Sequence, residues 1–204
     1  MSEFPWLSTA MRDPLYHRPI ERDPEWSNDS VATKSREANE LGAALGPEYF
    51  PPRFKFSVKQ PGNADQLGDM FIGGGFWIVS ARCAAVLRKF DLGEGDLYPA
   101  EIFAHDTSTK LTDQFYTWNF GNARSFALPA QSQGVRPPVN GIWRLRATIA
   151  DDELVLDRSA LSGADVWIDP QFLNSLFFSG RLGSALREAN LAGPFAALVK
   201  CRIN

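Results

Sequence analysis

The sequence predicts an α+β fold: a mixed, largely antiparallel sheet with helices packed against it and a proline-rich N-terminal arm. Three observations support this prediction. Apolar and polar residues alternate over Ile142–Ile149, which is typical of a strand with one buried face. Apolar residues recur at helical spacing between Ser80 and Phe90. Proline is concentrated at one end, because 8 of the 14 prolines lie in residues 1–61.

The first 60 residues are expected to form a proline-rich arm and a surface helix, and residues 61–204 a single α+β domain. Closely spaced prolines favour an extended, irregular path over residues 1–26. An arm that carries several large aromatic rings is expected to insert them into the body. These rings are Trp6, Tyr16 and Trp26.

A surface helix is predicted over residues 28–45, beginning near Asn28 or Asp29 and ending before Gly46. A short strand follows over residues 54–58. The buried face of this helix is expected to be thin, with five apolar residues: Val31, Ala38, Leu41, Ala44 and Leu45.

In the body, Ser80 is predicted to cap a helix that follows a buried strand, and Asp169 to cap another whose first residue is Pro170. The sequence around Trp77–Ser80 resembles that around Trp167–Asp169. This similarity indicates either two strand–cap–helix units or a coincidence, and we favour the coincidence. The predicted strands cover 76–79, 98–105, 114–120, 142–149, 154–156, 166–168 and 197–203, the helices cover 80–90, 169–180 and 182–189, and a long loop covers 121–141.

The charge balance, 21 basic against 24 acidic residues, argues against a protein that coats nucleic acid. No apolar run approaches the length of a membrane-spanning helix, about 20 residues. The N-terminus lacks the pattern of a secretory signal. The expected location is therefore the cytoplasm. In that reducing compartment, Cys83 and Cys201 are expected to be buried free thiols rather than a disulfide.

The residue types that carry chemistry are scarce. His17 and His105 have no second ligand at metal-binding spacing, and Cys83 with His105 makes a poor nucleophilic pair because Cys83 lies on the core face of its helix. Gly73-Gly74-Gly75 lacks the lysine of a phosphate-binding loop and predicts a tight turn. We assign no catalytic, cofactor-binding or metal-binding residue, and no cofactor.

Charged residues offer weaker candidates. Two acidic clusters, Asp91 with Glu94 and Asp96, and Asp151–Glu153, coincide with predicted turns and lack the spacing of a calcium loop. If two predicted strands were neighbours, four cations would line one sheet face. We interpret that face first as an ordinary solvated face and second as a surface for nucleic acid or an acidic partner. These cations are Arg144, Arg146, Lys200 and Arg202.

From about Phe71 to the C-terminus, the order of elements resembles a family of bacterial immunity proteins, the eleventh in the polymorphic-toxin immunity series. The residues that carry the resemblance are Phe76–Ser80 with its helix to Leu87, the strands around Tyr98–Phe103 and Phe115–Phe120, and the ending Val166–Asp169 to Phe195-Ala196, with its Leu191-Ala192-Gly193 stop.

This resemblance implies a non-catalytic cytoplasmic protein that neutralises a cognate secreted toxin domain by direct binding. No toxin-contacting position can be transferred from the family, although the acidic turns would suit a basic toxin. Neither nucleic acid nor a membrane is expected as a partner. Two alternatives stay open: an enzyme with a dispersed site that uses Cys83, His105 and Asp106, and a small-ligand module. The tryptophans that would line the ligand cavity are Trp77, Trp118 and Trp143.

Overall fold

The computed structural model describes residues 4–23, 29–59, 67–172 and 174–204. Its helices and strands confirm the α+β class. The helices are α1 (Asp29–Glu40), α2 (Ala81–Leu87) and α3 (Gly180–Glu188). The strands are β1 (Trp6–Ser8), β2 (Ile20–Arg22), β3 (Arg53–Phe56), β4 (Met70–Gly73), β5 (Phe76–Ser80), β6 (Asp96–Phe103), β7 (Phe115–Asn119), β8 (Val135–Val139), β9 (Ile142–Leu145), β10 (Val155–Leu156), β11 (Val166–Ile168), β12 (Leu176–Phe178), β13 (Val199–Lys200) and β14 (Arg202–Ile203).

Six strands form a sheet in the order β2-β3-β6-β7-β5-β4, in which only the β3–β6 pair is parallel. The two edges of this sheet meet, because Arg18 N donates to Ile72 O at 2.9 Å and Gly74 N donates to Ile20 O at 2.8 Å. The sheet therefore closes on itself. Its interior is filled mainly by phenylalanines: Phe54, Phe56, Phe71, Phe76 and Phe115.

A second sheet has the order β11-β12-β1-β13, so the N-terminal strand β1 is an interior strand. The main core lies between this sheet, the closed sheet and helices α2 and α3, and it contains Trp77, Trp118 and Phe178. The arm expected to lie on the body thus contributes to both sheets, through β1 and β2. Trp6 is buried and Tyr16 packs against the main core, whereas Trp26 lies outside the described residues.

The structure contains two similar hairpin–helix units. In the first, β4 and β5 precede α2, and Ser80 Oγ donates to Asp69 Oδ1. In the second, β11 and β12 precede α3, and Ser179 Oγ donates to Asp165 Oδ1 at 2.5 Å. Each serine also caps its helix, accepting a hydrogen bond from the backbone N–H three residues later at 3.2 Å. The chain is therefore built partly from a repeated unit.

The two units also bind each other reciprocally. The carboxylate of Asp69 accepts a hydrogen bond from the backbone N–H of Ala192, which follows α3, at 2.7 Å. The carboxylate of Asp165 accepts one from the backbone N–H of Asp91, which follows α2, at 2.8 Å. Each aspartate thus joins its own hairpin to the end of the other unit's helix.

The predicted strand over residues 76–79 and the helix capped by Ser80 are confirmed. The helix predicted after Asp169 is wrong: the chain turns and then forms strand β12, and Gly180 begins α3 instead of ending a helix. The Asp169 carboxylate also accepts hydrogen bonds from the backbone of Phe126 and Ala127, which ties this segment to a neighbouring one. The sequence comparison therefore matched Ser80 with the wrong residue: its structural equivalent is Ser179, which caps α3, and not Asp169.

The predicted surface helix exists as α1, but it ends at Glu40 and buries a different face. Val31 and Leu41 are exposed, whereas Ala32, Ser35 and Asn39 are buried. Hydrogen bonds explain this orientation, because the side-chain amide of Asn39 donates to Trp118 O and accepts from Phe120 N, both at 2.9 Å. Hydrogen bonding to the C-terminal end of β7, an interior strand of the sheet, thus sets which side of α1 faces inward. The proposed start at Asn28 lies outside the described residues.

The alternating segment Ile142–Ile149 forms a shorter strand than predicted, because β9 ends at Leu145. The loop predicted over 121–141 contains its partner, β8. The predicted closing strand is split between two sheets, since β13 pairs with β1 and β14 pairs with β10. Within the described parts of the chain, no helix has both the length and the apolar character needed to cross a membrane.

Candidate functional site

The candidate site is the hairpin made by β8 and β9. Its turn is Asn140-Gly141, in which both residues have a positive φ, of 53° and 80°. Two consecutive residues of this conformation form the tight turn that suits the twist of a hairpin. Apart from the adjacent residues, no atom of the described part of the chain lies within 4 Å of the position of a Cβ added to Gly141. The turn therefore projects into open space.

One face of the hairpin is anchored to the body. Leu145 is buried, and Val135 and Trp143 pack against a core cluster that contains Trp167 and Phe177. The backbone N–H of Trp143 donates to Gln171 O at 2.8 Å. These contacts hold the base of the hairpin and fix which of its faces is turned outward.

The outer face is positively charged and partly apolar. Arg136 lies directly opposite Arg144 in the register of the two strands, and both are exposed. Like charges at facing positions destabilise a hairpin. Val139 and Ile142 pair at the turn and are 51% and 36% exposed. Because side chains alternate along a strand, Ile142 lies on the same face as Arg144.

A further arginine joins the hairpin at its base. Arg12 Nη1 donates to Arg146 O at 2.8 Å, and burial lowers the pKa of the Arg12 guanidinium. Among the ion pairs that the described residues form, none includes Arg136, Arg144 or Arg146. Within the described residues, these three arginines therefore form a group of exposed cations without a carboxylate partner.

The predicted alignment of four cations on one sheet face is wrong. Arg144 lies on β9, which pairs with β8, whereas Lys200 and Arg202 lie on strands that pair with β1 and β10. Lys200 is also engaged, since its Nζ lies 3.3 Å from Asp152 Oδ2 and 4.5 Å from the ring centroid of Phe4. The cation that does face Arg144 is Arg136, which sequence reasoning missed because it lay in the predicted loop.

The acidic clusters accept backbone hydrogen bonds, locally in the first cluster and from the distant strand β13 in the second. Asp91 Oδ1 accepts from Gly93 N at 2.8 Å, and Asp96 Oδ1 accepts from Leu97 N at 2.7 Å. Asp151 Oδ1 accepts from Lys200 N at 2.8 Å. In residues 4–23, 29–59, 67–172 and 174–204, no group of three or more His, Cys, Asp or Glu side chains is arranged to hold a metal ion.

The residues of the dispersed-site alternative are not brought together. Cys83 is fully buried in the main core, and burial raises the pKa of its thiol, with a further contribution from Asp69. His105 lies two residues after β6, and its Nδ1 is 3.2 Å from Phe56 O. Phe56 belongs to the separate core of the closed sheet. Asp106 accepts hydrogen bonds from the backbone of Ser108 and Thr109 within its own turn.

The other candidates have structural roles. Gly74 and Gly75 form the two-residue turn between β4 and β5, as predicted, with φ of 58° and 87°. Trp77 and Trp118 are buried in the main core. Burial also raises the pKa of the Cys201 thiol. His17 forms an isolated β-bridge with Ile72.

Two open depressions, of about 320 and 490 Å³, lie at the starts of α2 and α3. The first is lined by Asp69, Ser80 and Arg82, and the second by Asp165, Ser179 and Arg181. The aspartates and serines in both walls hydrogen-bond within the repeated units, so these side chains serve the fold.

No model of a known protein family and no curated protein matches this chain.

Proposed function

We propose that this chain is a non-catalytic protein that neutralises a cognate secreted bacterial toxin domain by binding it directly in the cytoplasm. The observation that carries the proposal is the outer face of the β8–β9 hairpin, where Arg136 faces Arg144 beside exposed Val139 and Ile142. Facing like charges destabilise a hairpin, and burial of exposed aliphatic side chains under a partner stabilises the complex. Both features favour a surface that is completed by another protein.

The resemblance to an immunity-protein family supports the same proposal through other residues. These are the segment Phe76–Ser80 with its capped helix and the segment Val166–Trp167–Ile168. Both segments belong to the repeated hairpin–helix units. We therefore propose that the hairpin–helix units form the scaffold that resembles the family and that the projecting hairpin carries the binding surface.

The test is co-purification of the tagged chain with the product of the gene immediately upstream, followed by calorimetry and a growth assay. We expect a one-to-one complex with nanomolar affinity, and survival of cells that express both proteins but not of cells that express the upstream product alone. If the two proteins do not associate and growth is not rescued, the proposal is wrong.

A further inference from the structure

The outer face of the β8–β9 hairpin is a cationic surface with an apolar tip. Arg136, Arg144 and Arg146 are all exposed and form no ion pair with any described residue. Arg12 adds a partly buried guanidinium at the base. Val139 and Ile142 provide exposed aliphatic surface at the turn. The charges and the apolar contact area are therefore adjacent on one small element.

Guanidinium groups bind carboxylates in a planar, two-pronged geometry, and each such pair is stronger than a neutral hydrogen bond. A carboxylate placed between Arg136 and Arg144 would also remove the repulsion between them. In the free chain the two arginines repel each other, and an acidic partner surface would neutralise that repulsion. Electrostatic complementarity of this kind speeds association and selects the partner.

The hairpin favours contact through side chains rather than addition of another strand. Pro137 and Pro138 lie within β8 and have no backbone N–H to donate. The other strand, β9, is already bonded along part of its outer edge, where Trp143 N donates to Gln171 O. A partner therefore meets arginine and aliphatic side chains.

A protein fits this surface better than a nucleic acid does. Proteins that bind single strands stack bases on exposed aromatic rings. The aromatic residue of the hairpin, Trp143, is packed against the core cluster instead.

We infer that the outer face of the β8–β9 hairpin docks on a carboxylate-rich surface of a protein partner, with the arginines paired to carboxylates and Val139 and Ile142 covered. This inference rests on the proposed function, because it specifies the surface chemistry of the partner.

The test uses a fluorescein-labelled peptide of Leu-Glu-Glu repeats, with labelled oligothymidylate of the same length as the rival probe. Anisotropy is measured with the full chain at about 50 mM and about 300 mM NaCl. We expect the peptide to bind more tightly than the oligothymidylate and to weaken at the higher salt. No binding of the peptide, or tighter binding of the oligothymidylate, overturns the inference.

Variants locate the site. The double variant Arg136→Glu/Arg144→Glu is expected to bind the peptide about tenfold more weakly or worse. Its matched control is Arg124→Glu/Arg158→Glu, which makes the same charge change at two exposed arginines outside the hairpin and is expected to bind normally. Circular dichroism and thermal melts establish that each variant is folded. Equal losses in the two double variants, or none in the first, contradict the inference.

A single variant provides a second test that does not depend on repulsion. Arg136→Glu places opposite charges at facing positions, so the hairpin gains an internal ion pair and Arg144 loses its free charge. We expect an unchanged or higher Tm together with weaker peptide binding. Peptide binding as strong as that of the unmodified chain contradicts the inference.

The outcomes also separate the inference from the proposed function. If the upstream gene product binds the chain and the double hairpin variant with equal affinity, the docking surface is wrong and the function stands. If the upstream product does not bind, but the peptide binds and depends on Arg136 and Arg144, the function is wrong and the acid-binding surface stands.

Discussion

The carboxylate of Asp165, with only 1% of its side chain exposed, accepts hydrogen bonds from both Nε and Nη2 of Arg181, at 2.6 and 2.7 Å. The equivalent pair in the other hairpin–helix unit is looser, since Arg82 Nη1 lies 3.5 Å from Asp69 Oδ2. The two aspartates otherwise have matching partners, a capping serine and one backbone N–H. The repeated unit thus provides its own comparison.

Replacing each aspartate separately measures what the two-pronged contact contributes. We expect Asp165→Asn to lower the free energy of unfolding by about 3 kcal/mol, because several charge-assisted hydrogen bonds to a buried group are lost. Asp69→Asn is expected to cost less. Urea unfolding of the two variants checks this, and an equal or larger loss at Asp69 would contradict it.

Asn39 is expected to hold α1 on the sheet. Asn39→Ala removes the buried hydrogen bonds to Trp118 O and Phe120 N. The expected loss is about 2 kcal/mol. Hydrogen exchange should become faster throughout α1, whereas Lys34→Ala, on the exposed side of the same helix, should leave exchange unchanged. Unaltered protection in Asn39→Ala would show that other contacts hold α1.

The Trp6 ring is expected to leave no room for a side chain at position 183, so that only glycine fits there. A Cβ added at Gly183 would lie 2.1 Å from Trp6 Cδ1, and Trp6 is buried within the main core. Gly183→Ala should therefore destabilise the chain by about 2 kcal/mol through overpacking, even though alanine favours a helix by about 1 kcal/mol. Thermal unfolding checks the sign, and Ser184→Ala is the control on the neighbouring residue. A higher Tm for Gly183→Ala would refute the prediction.

Asp169 is expected to make stability fall as the pH rises. Burial raises the pKa of its carboxyl in the folded chain, although backbone N–H groups of Ala127, Gln171 and Phe126 oppose the shift. A carboxyl with a raised folded-state pKa stabilises most below its unfolded pKa, about 3.9, and loses that contribution as the pH passes the folded-state pKa.

The measurement for Asp169 is the unfolding free energy of the unmodified chain minus that of Asp169→Asn, followed from acid to neutral pH. Groups common to both proteins cancel in this difference, which should shrink as the pH rises. A difference that is constant or grows with pH would contradict the prediction.

Local signals in the sequence were sufficient for the first hairpin–helix unit. Gly74 and Gly75 mark a tight turn, and Ser80 caps a helix whose apolar residues have the correct spacing. In the second unit, Phe172, Leu176 and Phe177 also fit a helix, and Pro170 favours a first turn. Strand β12 forms there because β11 and β1 lie on its two sides, and a local pattern cannot contain that information.

The candidate site was predictable only in part. The alternation of Arg144 and Arg146 with apolar residues correctly indicated an outward-facing set of cations. Their partner Arg136 was missed because Pro137 and Pro138 predict a loop, although proline is tolerated where a strand leaves one edge unpaired. The position of Lys200 and Arg202 depends on which strands pair, and that pairing is set by contacts between distant parts of the chain.

The interior position of β1 has a consequence for synthesis of the protein. Trp6 and Leu7 pair on one side with Phe178 and Phe177, and on the other with Lys200 and Val199. A ribosome releases β1 long before it has made β12 or β13, and contacts between such distant segments form slowly. Until β12 and β13 have been synthesised, the backbone of β1 lacks these strand partners and the side chain of Trp6 is exposed to solvent. Apolar surface and unpaired backbone exposed in this way favour aggregation of the growing chain.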